Sequence, residues 1–591
     1  MESMRFLKVF LIIAVAFLSV LALPSLMPSD SRFSLRPIMV SYNPYPANNF
    51  HAPLSSMGLI GLANATATIQ TSGSGTAASQ SSSPSGQSIR QNALRFTIDN
   101  SYFPQTETTI AIDPGNTSHV LGGFNDQKFF FCGALPVECG TISSSISGFT
   151  SSTDGGKTIA KSNDIPNIAP FGVLLNSFGD PSVAPSVDGN FFYASLAISR
   201  SSFANGIMIA KSNSSLFDNS VSCDTASPIS TSNACWNTVF IFGNLARFAS
   251  TFEDKDRITV DRNPASPFYG SVYVGWDHFD SDGTSSSYLA RCDNNLSSCP
   301  LVSGGAQPIV SGSDIFPAWT TPVVDKNGNV YVTWCNFGTF TTFGPVSCRI
   351  SSSSPGGTSF GPATTILSFM GADTTFPGYT VPLGWATETF RTFSLPSLAV
   401  DLSDRSNNLY FAIQVCASGH YYAFPSDVAP VANDNPGDCG NGAILFSRST
   451  NGGSVWSDPI SLSKPAVNDQ PFVTVDSLTG QVYVVYYTTQ FDQWNHRIDV
   501  VASVSNNRGQ NFHQSRVTSV SNEPNSDPNM YNYIRPNGIG GSFSVPQYGD
   551  YIEATARGGT LWVLFTGNYQ SEDGTFQTDP FLAVLNSQGM L

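Results

Sequence analysis

The chain has 591 residues, and only 12% of them are charged, about half the roughly 25% usual for soluble proteins. Ser, Thr, Asn, Gly and aromatic residues fill the deficit; 50 Gly and 38 Pro beside 43 Phe and 20 Tyr suit many short strands separated by turns. A formal charge of −15 argues against nucleic acid as a partner, and a surface with few ionisable groups suits an acidic or otherwise harsh external habitat.

In chain order, Arg5 and Lys8 precede an apolar run from Val9 to Leu23 that Pro24 closes. The run is short for a bilayer span. It reads as the core of a secretory signal (residues 1–23) with Val20-Leu21-Ala22 before the cut, an uncleaved N-terminal anchor being the alternative. Membrane contact is expected through that uncleaved segment or not at all. Residues 24–91 are rich in Ser, Gly and Pro without apolar period, and are expected to be an extended or disordered linker.

From residue 92 to 591 one unit recurs: an apolar strand often ending in Asp, a turn, and a β-branched, aromatic strand. Thr109-Ile110-Ala111-Ile112-Asp113, Arg257-Ile258-Thr259-Val260-Asp261 and Thr321-Pro322-Val323-Val324-Asp325 open three copies. The steps from Asp261 to Asp325, Asp401 and Asp476 are 64, 76 and 75 residues, room for four strands each. Several copies add a Ser-x-Asx-x-Gly loop, at Ser152, Ser449 and Ser505, with a weaker one at Ser353. In it the Asx side chain bonds backbone N–H groups and Gly takes the left-handed position. Such units bury both faces only when packed radially, so the fold is expected to be an all-β, seven-bladed β-propeller, with six blades as the alternative. Phe581–Leu585 lacks a partner in its own unit. Leu94–Ile98 is expected to pair with it and close the ring.

Ten cysteines fall as neighbours inside single units: Cys132/Cys139, Cys223/Cys235, Cys292/Cys299, Cys335/Cys348 and Cys416/Cys439. Five local disulfides are expected in that order, although spacing alone does not fix connectivity, and they point to a secreted or cell-surface protein. Sequons stand at Asn64, Asn116, Asn213 and Asn295.

The loop Ser152-x-Asp154-x-Gly156-x-Thr158 and its relatives at Ser449 and Ser505 resemble the Asp-box, or BNR repeat, of the sialidase superfamily, over roughly residues 92–591. The resemblance implies a propeller whose working face lies opposite these loops, where chains enter the innermost strand and leave the second. Glu107, Asp180, Asp256, Asp314, Asp469 and Asp550 stand before innermost strands, forming an acidic ring at one channel mouth. Close carboxylates repel, so raised pKa values or a bound cation are expected, with calcium the cation that all-oxygen ligands suit; Asp180, Asp256, Asp314 and Asp469 are its candidate ligands. The competing reading has each carboxylate capping a turn. Sialidase chemistry needs three arginines on the sugar carboxylate, a Tyr–Glu nucleophile pair and an Asp acid/base. Arg257, Arg497 and Arg535 are the clamp candidates, with Asp277 and His278 beside them as substrate contacts. Tyr551, Asp550, Tyr486 and Glu107 are the catalytic candidates. Leu94-Arg95-Phe96-Thr97 does not match the family's Arg-Ile-Pro motif, so the catalytic set does not carry over residue by residue. The resemblance implies an extracellular carbohydrate or glycoprotein as partner. Glycoside hydrolysis and a non-catalytic surface-structural or protein-interaction role remain as alternatives.

Overall fold

Each apolar run pairs with the β-branched run that follows it, because the Asp that ends the first turns the chain back. Asp113 Oδ1 accepts from Gly115 N, Asp261 Oδ1 from Asn263 N, Asp325 Oδ1 from Asn327 N and Asn329 N, Asp401 Oδ1 from Ser403 N, and Asp476 Oδ1 from Leu478 N. The computed structural model describes residues 40–42, 67–69, 93–98, 104–126, 145–199, 202, 204–224, 230–246, 249–281, 283–302, 309–312, 317–336, 345–370, 383–384, 395–403, 407–416, 422–423, 441–495, 497–522, 532–534, 542–544, 548–568 and 578–586.

These residues build seven antiparallel blades. Blade 1 comprises Gln105–Asp113, Asn116–Asp126, Ser147–Ser152 and Lys161–Asp164. In blade 2 the inner edge is split into Asn176–Ser177 and Ser182–Pro185, both on Phe191–Ile198, with Asn205–Ser212 and Trp236–Asn244 outside. Blade 3 is Thr251–Val260, Val272–Asp280, Ser285–Cys292 and Val310–Gly312. Blade 4 is Pro317–Val324, Val330–Asn336, Pro345–Ser353 and Thr364–Met370. Blade 5 is Pro396–Val400, Leu409–Cys416, Gly442–Ser449 and Ile460–Ser461, and blade 6 is Asn468–Val475, Val482–Thr488, Asp499–Ser505 and His513–Arg516. Blade 7 joins Glu553–Arg557, Thr560–Gly567 and Asp579–Asn586 to Ala93–Arg95. Innermost strands pack in sequence around an axis, and that of blade 7 returns against that of blade 1. The ring is closed, with seven blades rather than six.

Closure follows the expected register: Ala93 opposes Ala583, Leu94 opposes Leu582 and Arg95 opposes Phe581. Arg95 Nε also meets Asp579 Oδ2 at 2.6 Å, and Phe96 is buried against Leu564 and Leu582. A chain that begins after Ile98 would leave a long apolar edge open. It is expected to lose its cooperative melting transition and aggregate, as scanning calorimetry with light scattering would record.

The loops at Ser152, Ser449 and Ser505 share one hydrogen-bond pattern. In each the Ser Oγ donates to the Asx side chain and accepts from the Gly N–H four residues on. What the pattern does lies between blades. Gly156 packs on Leu582 of blade 7, Gly453 on Ile350 of blade 4, and Gly509 on Phe446 and Tyr410 of blade 5, while Gly357 of the weaker copy meets Tyr273 and Leu289 of blade 3. Each loop thus clamps its blade to the one before. At Gly509 a Cβ would stand 2.7 Å from the Phe446 ring at φ +73, so glycine is required by both space and backbone.

Cys223–Cys235, Cys292–Cys299 and Cys335–Cys348 are disulfide-bonded as expected, and Cys416 is disulfide-bonded. Cys132, Cys139 and Cys439 lie outside the described residues. Within the segment read as linker, Val40–Tyr42 pairs antiparallel with Ala67–Ile69. No helix among the described residues is long and apolar enough to cross a membrane.

Candidate functional site

The innermost strands begin earlier than their apolar runs suggest, and the extra residues carry a repeated irregularity. Blades 1, 3, 4 and 6 each have a bulge there, between Thr106 and Thr109, Asp254 and Arg257, Ala318 and Thr321, and Asp469 and Phe472. At or beside each bulge, and at the same place in blades 2 and 7, one residue is left-handed: Glu107 (φ 54°), Asp180 (52°), Lys255 (59°), Trp319 (68°), Gln470 (51°) and Gly549 (85°). Five of the six are not glycine. Such a conformation costs of order 1–3 kcal/mol per residue, and bulges of this kind re-aim side chains next to functional sites.

The re-aimed groups are cross-braced around the axis. Arg257 of blade 3 reaches blade 7, where its Nη1 lies 2.8 Å from Glu553 Oε1 and its guanidinium lies 3.8 Å over the Tyr551 ring. Glu553 Oε2 accepts from Thr109 Oγ1 of blade 1, and Tyr551 donates to the Pro181 carbonyl of blade 2 at 2.8 Å. Lys255 Nζ lies 3.7 Å over the Trp319 ring and 3.7 Å from Asp550 Oδ2. Glu107 accepts from Asn125 Nδ2 at 2.6 Å and from Asp550 N at 3.1 Å, and Asn125 Oδ1 accepts from Asp180 N at 2.9 Å. Gln470 Nε2 donates to the Gly549 carbonyl at 2.6 Å.

Burial drives the electrostatics. It pushes the Asp180 carboxyl well above the usual range, and the neighbouring charges of Glu107 and Asp254 push it further. Asp256 is likewise raised well above the usual range by burial, against the pull of Arg257. Burial also raises Glu553, outweighing its contact with Arg257, as the desolvation of a buried ion pair can. Tyr551 is pushed well above 10 by burial and by the carboxylates of Glu107, Asp180 and Asp256. Some acceptors are left over: both oxygens of Asp256, which is 2% exposed, Oδ1 of Asp180 and Oε1 of Gln470 have no hydrogen-bond partner. Asp180 and Asp256 line a void of about 20 Å³ with Lys255, Arg257, Trp319, Asp550 and Tyr551. A larger cavity, about 260 Å³, is lined by the innermost strands and also touches Arg257, Gln470, Tyr551 and Glu553.

The structure therefore brings Glu107, Asp180, Asp256, Arg257, Asp550 and Tyr551 together. Among the described residues, no other candidate lines the void beside Asp256. Arg497 is exposed on the loop between the second and third strands of blade 6. Tyr486 is buried among Tyr410, Phe446 and Val501, its hydroxyl near Leu462 O. Asp469 accepts from Gln470 N at 2.8 Å. Asp277 caps the blade 4 bulge, accepting from Trp319 N, Thr320 N and Thr320 Oγ1, and burial lifts it to about 7. His278 is bracketed by Glu253 Oε1 at 2.8 Å and Asp280 Oδ2 at 3.5 Å; their charge holds it above its ordinary value despite burial. Arg535 and Asp314 lie outside the described residues. Among the described residues no three His, Cys, Asp or Glu side chains gather as metal ligands. Lys255 and Arg257 stand among the carboxylates where the sequence reading places calcium.

Lys255, Trp319, Gln470 and Glu553 escaped the sequence reading. One signal was available: Glu253-Asp254-Lys255-Asp256-Arg257 sets five ionisable residues in a row in a chain only 12% charged.

No protein-family model matches the chain, and no curated protein does. Solved structures similar to it include the Hadza microbial sialidase Hz136, at 14% identity and a TM-score of 0.36, covering 65% of this chain and 63% of that one. This chain thus spans less than two thirds of that sialidase's length. The α-L-arabinofuranosidase Arb93A from Fusarium graminearum is similar at 8% identity and a TM-score of 0.36, over 69% of this chain and 93% of that one. A protein of unknown function from Dyadobacter fermentans aligns at 11% identity and a TM-score of 0.40, over 84% and 99%. Likeness this distant says nothing of substrate.

Proposed function

We propose that this propeller acts outside the cell and binds a glycan at the cross-braced channel mouth. The observation that carries the reading is Asp256: a buried carboxyl facing a void, with neither oxygen hydrogen-bonded, amid oriented polar and aromatic groups. A buried polar group left unpaired costs about 1–3 kcal/mol, so an arrangement that keeps one is explained by the ligand that completes it. Carboxyl, amide and aromatic side chains side by side are the chemistry that holds sugar hydroxyls and sugar ring faces. The disulfides support an oxidising compartment.

A second reading, glycoside hydrolysis, is favoured by the Asp256 carboxyl, which burial raises well above the usual range and which shares a void with Asp180, itself beside Glu107. A glycan array run with the wild type and Asp256→Asn tests the first reading. Binding by the wild type that the variant loses is the expected result, and a blank array sinks it in favour of a surface-structural role. Fluorogenic sialosides and neutral glycosides test the second: turnover that Asp256→Asn abolishes is expected of an acid catalyst, and its absence in the wild type leaves a binding protein.

A further inference from the structure

We infer that the group seated against Asp256 is a primary ammonium, carried by a de-N-acetylated amino sugar. The inference rests on the glycan reading above and names the class of sugar. It begins with size. The void beside Asp256 is about 20 Å³, room for one water-sized group. An ammonium has that size and offers three donors, whereas an acetamido group or a carboxylate is larger.

Three oxygens of the two buried carboxyls stand unfilled, both of Asp256 and Oδ1 of Asp180, and at the next ring position so does Oε1 of Gln470. Once the two carboxyls ionise, these oxygens take donors, which an ammonium supplies. The surrounding charge agrees. Glu107, Asp180, Asp254, Asp256, Asp550 and Glu553 face only Lys255 and Arg257 among the described cations, and Arg257 already spends its charge on Glu553 and its face on Tyr551. A sugar carboxylate would meet carboxyl groups, with no second arginine among the described residues lining the void to clamp it. The protein also shows that the mouth holds an ammonium: Lys255 Nζ sits over Trp319 and beside Asp550.

A seated ammonium stabilises the ionised form of the carboxyls around it, so binding releases protons. A neutral sugar in the same place has no charge with which to do so. The test is titration calorimetry of the full chain at pH 6.5 in two buffers of different ionisation enthalpy. The probes are a glucosamine tetrasaccharide, its fully N-acetylated counterpart, sialyllactose and Nα-acetyl-lysine amide. We expect the free amine to bind at least roughly tenfold tighter than the acetylated form, with proton release, and Asp256→Asn to lose both the preference and the release. Because neither Asp256 oxygen is hydrogen-bonded, that variant is expected to fold, which its melting curve checks; Asp180→Asn provides a second variant with the same expected loss.

Equal or tighter binding of the acetylated tetrasaccharide or of sialyllactose overturns the inference and leaves glycan binding standing. A preference that survives both substitutions also overturns it. Lysine amide bound as tightly as the tetrasaccharide would make the ligand a peptide amine. Silence with every saccharide fells this inference and the glycan reading together.

Discussion

Lowering the pH from 8 to 5 will raise the melting temperature of this protein. Asp277 is lifted from 3.8 to about 7 by burial, and burial likewise raises Asp180, Asp256 and Glu553. A carboxyl raised in the folded state binds more protons there than in the unfolded chain. Its contribution is therefore full below the unfolded value near 4 and is lost as the pH climbs through the folded value. For Asp277 the window runs from about 4 to about 7, and the change across it is on the order of 4 kcal/mol. His278, also raised, adds a term of the same sign, present below its unfolded value and lost as pH rises through the folded one. Against these, Asp154 is held at about 2 chiefly by its bond from Thr158, and Asp476 is held low by backbone N–H groups despite burial, so their stabilisation is present above about 4 and lost below it. The optimum should fall between about pH 4 and 5. Melting curves of wild type and Asp256→Asn between pH 4 and 8 measure this. The variant should gain on the wild type as pH rises, and a wild-type melting temperature that climbs toward pH 8 contradicts the scheme.

Glu553→Ala is expected to be the most damaging single change at the mouth. It leaves the Arg257 guanidinium buried without its carboxylate and Thr109 without its acceptor, and removing one partner of a buried pair typically costs about 3–5 kcal/mol. Replacing both partners, Arg257→Met with Glu553→Leu, removes the stranded charge and should recover much of the loss. Urea denaturation of the single and double variants at pH 6 gives the comparison. A single variant within about 0.5 kcal/mol of wild type would mean that the strut bears little, as surface pairs do.

Local chemistry made the frame of this molecule readable. The Asp that ends an inner strand, the Ser-x-Asx-x-Gly loop and the unpartnered run Phe581–Leu585 each need specific residues for a nearby reason, so blade count and closure followed from them. The mouth had no such transparency. Its left-handed positions fall on Glu107, Asp180, Lys255, Trp319 and Gln470, five residue types with no shared cue. Its struts join residues far apart: Arg257 and Glu553 are 296 residues distant, and no period links them. The apolar pattern puts Asp256, Asp469 and Asp550 before the inner strands, yet the first two lie inside them, because a bulge interrupts that pattern before pairing ends. Tyr486 shows the opposite error. A strand-end aromatic looked like a mouth residue, but the alternation along Val482–Thr488 turns it into the sheet packing.

The pairing of Arg95 with Asp579 spans 484 residues, and it sets an order of events for biogenesis. A ribosome delivers the first of these partners long before the second, so the seventh blade is incomplete until translation is almost finished. Until then the nascent product carries an unsealed hydrophobic margin that invites aggregation. Long-range closure of this kind is slow to form, whereas the first six blades are each built from strands contiguous in sequence. The seam that locks the finished molecule is thus the last part of it to become available.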